Sequence, residues 1–217
     1  MKNILVVGGG AREHALCNAV IKSADVTLYS VMKNVNPGIK KIVQDFKKEK
    51  ETNVSSVVDY AIQHDIDLVF IGPEAPLEVG LTDALLNHDI SVCAPTKLAA
   101  RIETDKEWMR DLLTKHDIAG QLDYKTFTSI DEAKSYIHDM NGNVVLKPIG
   151  LTGGKGVKVA GDHFDDVDGA LEYINQIFSD KIGGKAKVVI EEKAEGEEFT
   201  VQAFSDGKTV KTFPAVQ

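Results

Sequence analysis

Asn143-Val-Val-Leu-Lys147-Pro-Ile-Gly150-Leu-Thr-Gly153-Gly154-Lys155-Gly156-Val-Lys-Val159 decides how the chain is read. Its apolar opening, Val144 to Leu146, has the pattern of a buried strand, which Lys147 closes. Four glycines and Lys155 then fall within seven residues. A second, β-branched strand from Val157 to Ala160 leaves in the opposite sense. The stretch therefore reads as a hairpin whose tip is nearly bare backbone. Such backbone approaches a ligand closely and turns its N–H groups toward it, an arrangement that suits phosphate oxygens. Lys147 and Lys155 add positive charge. The stretch is not a Walker loop: Gly156 follows Lys155 where Ser or Thr is required, and strand rather than helix comes next. A glycine-rich tip also suits a hairpin with no ligand, and Lys147, at the end of a buried strand, favours nucleotide.

Upstream, Asn3 to Val7 reads as a buried parallel strand, Gly8-Gly9-Gly10 as a turn, and Ala11 to Ile21 as a helix. A strand from Val26 to Tyr29 completes a βαβ start. Glu13 stands where a dinucleotide fingerprint has its third glycine, and Tyr29-Ser30 lacks the ribose-binding acid, which argues against NAD. A helix N-terminus behind three glycines still suits a phosphate, with Arg12 beside it, while His14 reads as part of a surface helix face. Asn36-Pro37-Gly38 marks a turn, and the charged run from Lys40 to Lys50 reads as a solvated loop or frayed helix. Helix at 54–63 and strand at 68–71 follow. Gly72-Pro73-Glu74-Ala75-Pro76-Leu77 then sits at a strand's C-terminal end, where open α/β sheets place their ligands. Helix at 81–87, a short strand at 90–93, and helices at 98–102 and 106–115 complete a small parallel sheet with helices on both faces.

From Tyr124 the pattern changes to strands at 124–127, 188–190, 199–203 and 210–213, with the glycine hairpin and two helices, 130–140 and 165–178, between them. This is an α+β module, and Gly120 suggests the linker. The fold class is α/β: a Rossmann-like domain over 1–120, then a second module over 121–217.

Bulk properties set wider bounds. The 217 residues fit one large or two small domains, and the 43% hydrophobic fraction supports a real core. A net charge of −8 argues against nucleic acid as partner. Cys17 and Cys93 have no metal-like spacing and read as reduced cytosolic thiols. Met1 leads straight into a strand, and no apolar run is long enough to span a membrane. A cytoplasmic protein is expected.

Val188-Val-Ile-Glu191-Glu192-Lys193-Ala194-Glu-Gly196-Glu-Glu198-Phe-Thr-Val201 gives strand, acids, turn, acids, strand. With the glycine loop, Gly8 to Leu16 and Gly72 to Leu77, it resembles the ATP-grasp carboxylate–amine ligases. Within them the chain resembles the phosphoribosylamine–glycine ligase family along its whole length. The resemblance implies a pre-ATP-grasp domain followed by an ATP-grasp module that is incomplete at its C-terminus. It implies ATP with Mg²⁺ (or Mn²⁺) as cofactors, and glycine and 5-phosphoribosylamine as small-molecule partners joined through glycyl phosphate. By the same resemblance, Lys106, Lys147 and Lys155 spread over the triphosphate, and Gly150, Gly153, Gly154 and Gly156 let the loop close. Glu191 and the backbone of Glu192, Lys193 and Ala194 meet the adenine edge, and Glu198 takes the ribose. Lys147 and Lys155 carry the catalytic role, through positioning and charge neutralisation rather than a covalent nucleophile. Gly8, Gly9, Gly10, Arg12, Glu13, Gly72, Pro73 and Glu74 form the phosphoribosylamine site. No metal ligand is assigned; the resemblance puts those beyond Gln217, and these 217 residues are expected not to complete the ligation alone. Pro148 and Ile149 depart from the small residue and acid usual in the family's bacterial loop. Two alternatives remain: another ATP-grasp ligase such as a biotin carboxylase, or a non-catalytic nucleotide-binding fragment.

Overall fold

The structure, a computed structural model, describes residues 1–23, 25–153 and 155–217. The chain first alternates strands and helices: β1 (Lys2–Val7), α1 (Ala11–Val20), β2 (Val26–Met32), α2 (Pro37–Lys40), β3 (Asp45–Lys48), α3 (Val54–Gln63), β4 (Leu68–Ile71), α4 (Ala75–Glu78), α5 (Leu81–Leu86), β5 (Ser91–Cys93), α6 (Lys97–Thr104) and α7 (Lys106–Lys115). The strands form one parallel sheet in the order β3-β2-β1-β4-β5. Period-two alternation decides the packing. Leu5 and Val7 face a cluster with α3, α4, α5 and α6, while Ile4 and Val6 face Cys17 and Ile39 from α1 and α2.

The order reverses beside β1, where Val7 and Ile71 are register partners. The loops after β1 and β4 therefore leave one edge of the sheet side by side, in the crevice where such sheets bind ligands. The run from Lys40 to Lys50, expected to be loop or frayed helix, holds α2's last residue and the edge strand β3. Its charged side chains masked the pattern. An edge strand needs only one hydrogen-bonded neighbour, and Lys47 sends its ammonium to the Ser56 carbonyl at 3.2 Å.

The second unit continues with β6 (Tyr124–Phe127), α8 (Ile130–Asp139), β7 (Val144–Pro148), β8 (Lys158–Val159), α9 (Val167–Asp180), a 3₁₀ turn (Ile182–Gly184) and β9 (Val188–Glu192). Its antiparallel sheet runs β6-β9-β7-β8, with β7 and β8 forming the glycine hairpin. Val144, Leu146, Val188 and Ile190 pack against α8 and α9. The alternate residues Val145, Lys147, Val189 and Glu191 therefore point to the opposite face. The last strands are β10 (Ala203–Ser205), which starts later than the expected 199–203, and β11 (Val210–Thr212), which starts as expected and ends one residue before 213. Among the described residues they pair with each other alone, and Phe199, Phe204 and Phe213 beside and within them are exposed. Among the described residues no helix is long and apolar enough to cross a membrane.

The root of the glycine hairpin is set by two backbones in contact. Gly150 has φ +94° and Gly183 φ +79°, conformations that favour glycine. A Cβ on Gly150 would lie 2.4 Å from the Gly183 carbonyl oxygen, and one on Gly183 would lie 2.1 Å from the Ile149 oxygen. Gly183→Ala is therefore expected to destabilise the chain by about 1–3 kcal/mol in chemical denaturation. An unchanged midpoint would contradict this contact.

Candidate functional site

Helix α7 brings two cations to the antiparallel sheet. Its N-cap Asp105 accepts hydrogen bonds from Trp108 N–H and Arg101 Nη2, each at 3.1 Å. That fixes the first turn. Lys106 and Arg110, four residues apart, then share one helix face. Lys106 Nζ donates to the Gly150 carbonyl at 3.0 Å. Arg110 grips Glu191 with both arms of its fork, Nε to Oε1 at 2.8 Å and Nη2 to Oε2 at 2.6 Å. Lys147 Nζ reaches the same Oε2 at 2.6 Å, diagonally across β7 and β9.

Glu191 is 1% exposed. Burial pushes its carboxyl pKa up, but the hydrogen bonds from Arg110 and Lys147 outweigh burial and hold it below the usual carboxylate range. Burial lowers the Lys106 pKa, the acid Glu103 opposes that, and neighbouring Lys147 lowers it further. Two ammonium groups thus sense one another beside the glycine loop, a setting suited to an anion.

The loop carries its own braces. Thr152 Oγ1 accepts from Gly156 N–H at 3.1 Å, and the buried Tyr173 hydroxyl donates to the Gly156 carbonyl at 2.7 Å. Gly153 has φ +62° and open space around it, and Lys155 is exposed. Gly154 lies outside the described residues. Beyond β9, Lys193, Ala194, Gly196 and Glu198 line a cavity of about 590 Å³ with Val159 and Asp162 of the hairpin arm. Glu192 leans away from it, accepting from Asp123 N–H at 3.0 Å.

The first unit holds a separate group at the two neighbouring loops. Glu13 is 4% exposed, and its Oε2 accepts from Gly10 N–H at 2.6 Å. Its side chain fills the space where Gly8 and Gly72 would carry a Cβ. Outside this brace, Arg12 and Glu74 form an exposed ion pair at 3.2 Å. Gly9, Gly10, Arg12, Glu13 and Pro73 border a cavity of about 470 Å³ together with Lys33.

The structure thus brings Lys106, Lys147, Gly150 and Glu191 into one cluster. Lys193, Ala194 and Glu198 border a second cavity, and Gly8 to Glu13 with Gly72 to Glu74 form a third group. Sequence reasoning passed over Arg110, Thr152 and Tyr173. Only Arg110 had a signal, its four-residue spacing from Lys106 on one predicted helix.

Residues 2–103 match the phosphoribosylglycinamide synthetase N domain, and residues 104–217 match the ATP-grasp (A) domain of the same synthetase. The phosphoribosylamine–glycine ligase of Methanobrevibacter smithii is 48% identical over 214 residues, covering 99% of this chain and 48% of that protein. That of Methanocaldococcus jannaschii is 48% identical over 218 residues, covering 99% and 49%. The chain spans about half the length of these relatives. The crystal structure of the Thermotoga maritima phosphoribosylamine–glycine ligase superposes with a TM-score of 0.78 at 22% identity, over 99% of this chain and 50% of that one. The biotin carboxylase domain of Hydrogenobacter thermophilus 2-oxoglutarate carboxylase, solved with MgADP, superposes at 0.70 with 13% identity, over 89% and 44%. At such identities the superpositions show a common fold alone. With the N-domain match over 2–103 followed by the ATP-grasp match over 104–217, the chain belongs to the phosphoribosylglycinamide synthetase family.

Proposed function

We propose that this chain binds ATP and forms part of an enzyme that joins glycine to 5-phosphoribosylamine, giving glycinamide ribonucleotide in purine synthesis. Two units divide the work, 1–120 holding the amine substrate and 121–217 the nucleotide, with Lys106 at the start of α7 reaching across to the nucleotide side. The enzyme acts in the cytoplasm on small molecules, with neither nucleic acid nor membrane as partner. The observation that carries the reading is the cluster of Lys106 and Lys147 beside the Gly150 loop, in a chain of this family.

In the proposed reaction glycine's carboxylate takes the γ-phosphate of ATP, and the amine of phosphoribosylamine then displaces phosphate from glycyl phosphate. The residues described here supply position and charge. Lys106, Lys147 and Lys155 neutralise phosphate oxygens. Gly150, Gly153, Gly154 and Gly156 let backbone N–H groups approach them. Closure of the loop keeps water from the acyl phosphate. Glu191, Glu192, Lys193 and Ala194 border the adenine, the Glu191 side chain acting through Lys147 while the backbone supplies the edge. Glu198 takes the ribose. On the first unit, Gly8, Gly9, Gly10, Arg12, Glu13, Gly72, Pro73 and Glu74 shape the phosphoribosylamine site, with the α1 N-terminus and Arg12 toward its phosphate. Mg²⁺ is assigned no ligand: among the described residues no group of three or more His, Cys, Asp or Glu side chains could hold a metal ion.

Calorimetric titration with a non-hydrolysable ATP analogue tests the nucleotide site. Lys147→Ala is expected to weaken binding by about 1.5–3 kcal/mol, the range for a hydrogen bond to a charged group. Equal affinity in variant and parent would remove Lys147 from the site. For the first unit, ribose 5-phosphate is expected to shift the amide signals of Gly9, Gly10 and Arg12, and Arg12→Ala should weaken it several-fold. Signals that stay put at saturating ligand would move the sugar phosphate elsewhere.

A further inference from the structure

We propose that Arg110 is a positioning residue whose charge cancels that of Glu191, so that Lys147 is held by a carboxylate yet keeps its own charge for an anionic ligand. The inference rests on the nucleotide reading above and adds a residue to it. The group contains one carboxylate and two cations, net +1. Burying one acid needs only one partner; a lone Lys147–Glu191 pair would be neutral and would offer a phosphate little. Arg110 removes that limit. It takes both oxygens of Glu191 in a fork, a two-point contact that the planar guanidinium suits. Lys147 touches only Oε2, one contact for an ammonium with three N–H donors.

Exposure follows the same division. The Arg110 and Glu191 side chains are 10% and 1% exposed, whereas Lys147 is 23% exposed. The inner pair is shielded and the outer cation meets solvent. Lys106 stands on the same helix face as Arg110, so α7 also sets a cation at the Gly150 carbonyl beside the group. A helix that only needed to dock on the second sheet could do so with apolar side chains at no cost in buried charge.

The test uses the 217-residue chain, with two readouts. One follows the titration of the Lys147 side chain by NMR in lysine-labelled protein without ligand, where Glu191 faces it from β9 and Arg110 and Lys106 from α7. The other compares binding of AMP-PNP and of adenosine, which lacks phosphate. Arg110→Gln leaves Lys147 facing an uncancelled carboxylate. Its titration midpoint is expected to rise, AMP-PNP to bind about tenfold more weakly, and adenosine to bind unchanged. Arg110→Gln with Glu191→Gln restores the net +1, so the midpoint should return toward the parental value. A merely structural Arg110 predicts no such return, and a double variant no better than the single one overturns the proposal. So does an unmoved Lys147 midpoint in Arg110→Gln. If Arg110→Gln does not fold, Arg110→Lys decides: it keeps the charge and loses the fork, so a parental midpoint supports the proposal and a shifted one overturns it. A parent that binds AMP-PNP no better than adenosine, with the midpoint still rising in Arg110→Gln, removes the nucleotide reading and leaves the charge-setting role in place.

Discussion

A carboxylate with 1% exposure cannot stay charged without partners, and Glu191 takes its partners from two different elements. Arg110 arrives from helix α7, Lys147 from the neighbouring strand β7. Removing one partner of a buried pair costs about 3–5 kcal/mol, because the remaining charge is left stranded. The contact therefore fixes where α7 lies against the second sheet. With α7 fixed, Lys106 is held at the Gly150 carbonyl, at the root of the glycine hairpin. Position and charge thus follow from one constraint. The second sheet's alternation provides the surface for it, with the apolar residues of β7 and β9 covered by α8 and α9 and the opposite face left for the ion group.

Glu13 is a second buried acid with a different task. Among the described residues no cation pairs with it; its Oε2 accepts from the Gly10 N–H, and its carbon chain occupies the room that Gly8 and Gly72 leave. The acid shapes a loop, whereas Glu191 holds cations. The glycines on either side of Glu13 are therefore explained by packing, before any ligand is considered. Arg12 and Glu74, outside that brace, are the groups left facing solvent.

Much of this could be read along the chain because it is local. Val144 to Leu146, the glycines and the β-branched residues after Lys155 specify a hairpin within seventeen residues. Asn3 to Val7 followed by three glycines specifies a strand and a turn. The edge strand at 45–48 was hidden because an edge tolerates charge, so its alternation is overwritten by lysines. Lys147 and the glycine loop stand out by their spacing along the chain, whereas Lys106 is singled out by the family resemblance alone. The site was illegible where it used distance: Arg110 is one surface-patterned arginine until β9, 81 residues later, brings Glu191 to it. Glu191 itself was assigned to the adenine edge, yet its carboxylate is turned inward to two cations. Nothing in five acids within eight residues marks which one is buried; only the register of β9 against β7 does so.

The most direct measurement is hydrogen–deuterium exchange of the chain with and without a non-hydrolysable ATP analogue. The account predicts slower exchange in peptides covering 147–159 and 188–198, with the first sheet's strands unchanged. Protection confined to the loops at 8–14 and 72–78, or none at saturating analogue, would contradict a nucleotide site built on the glycine hairpin and the Glu191 ion group.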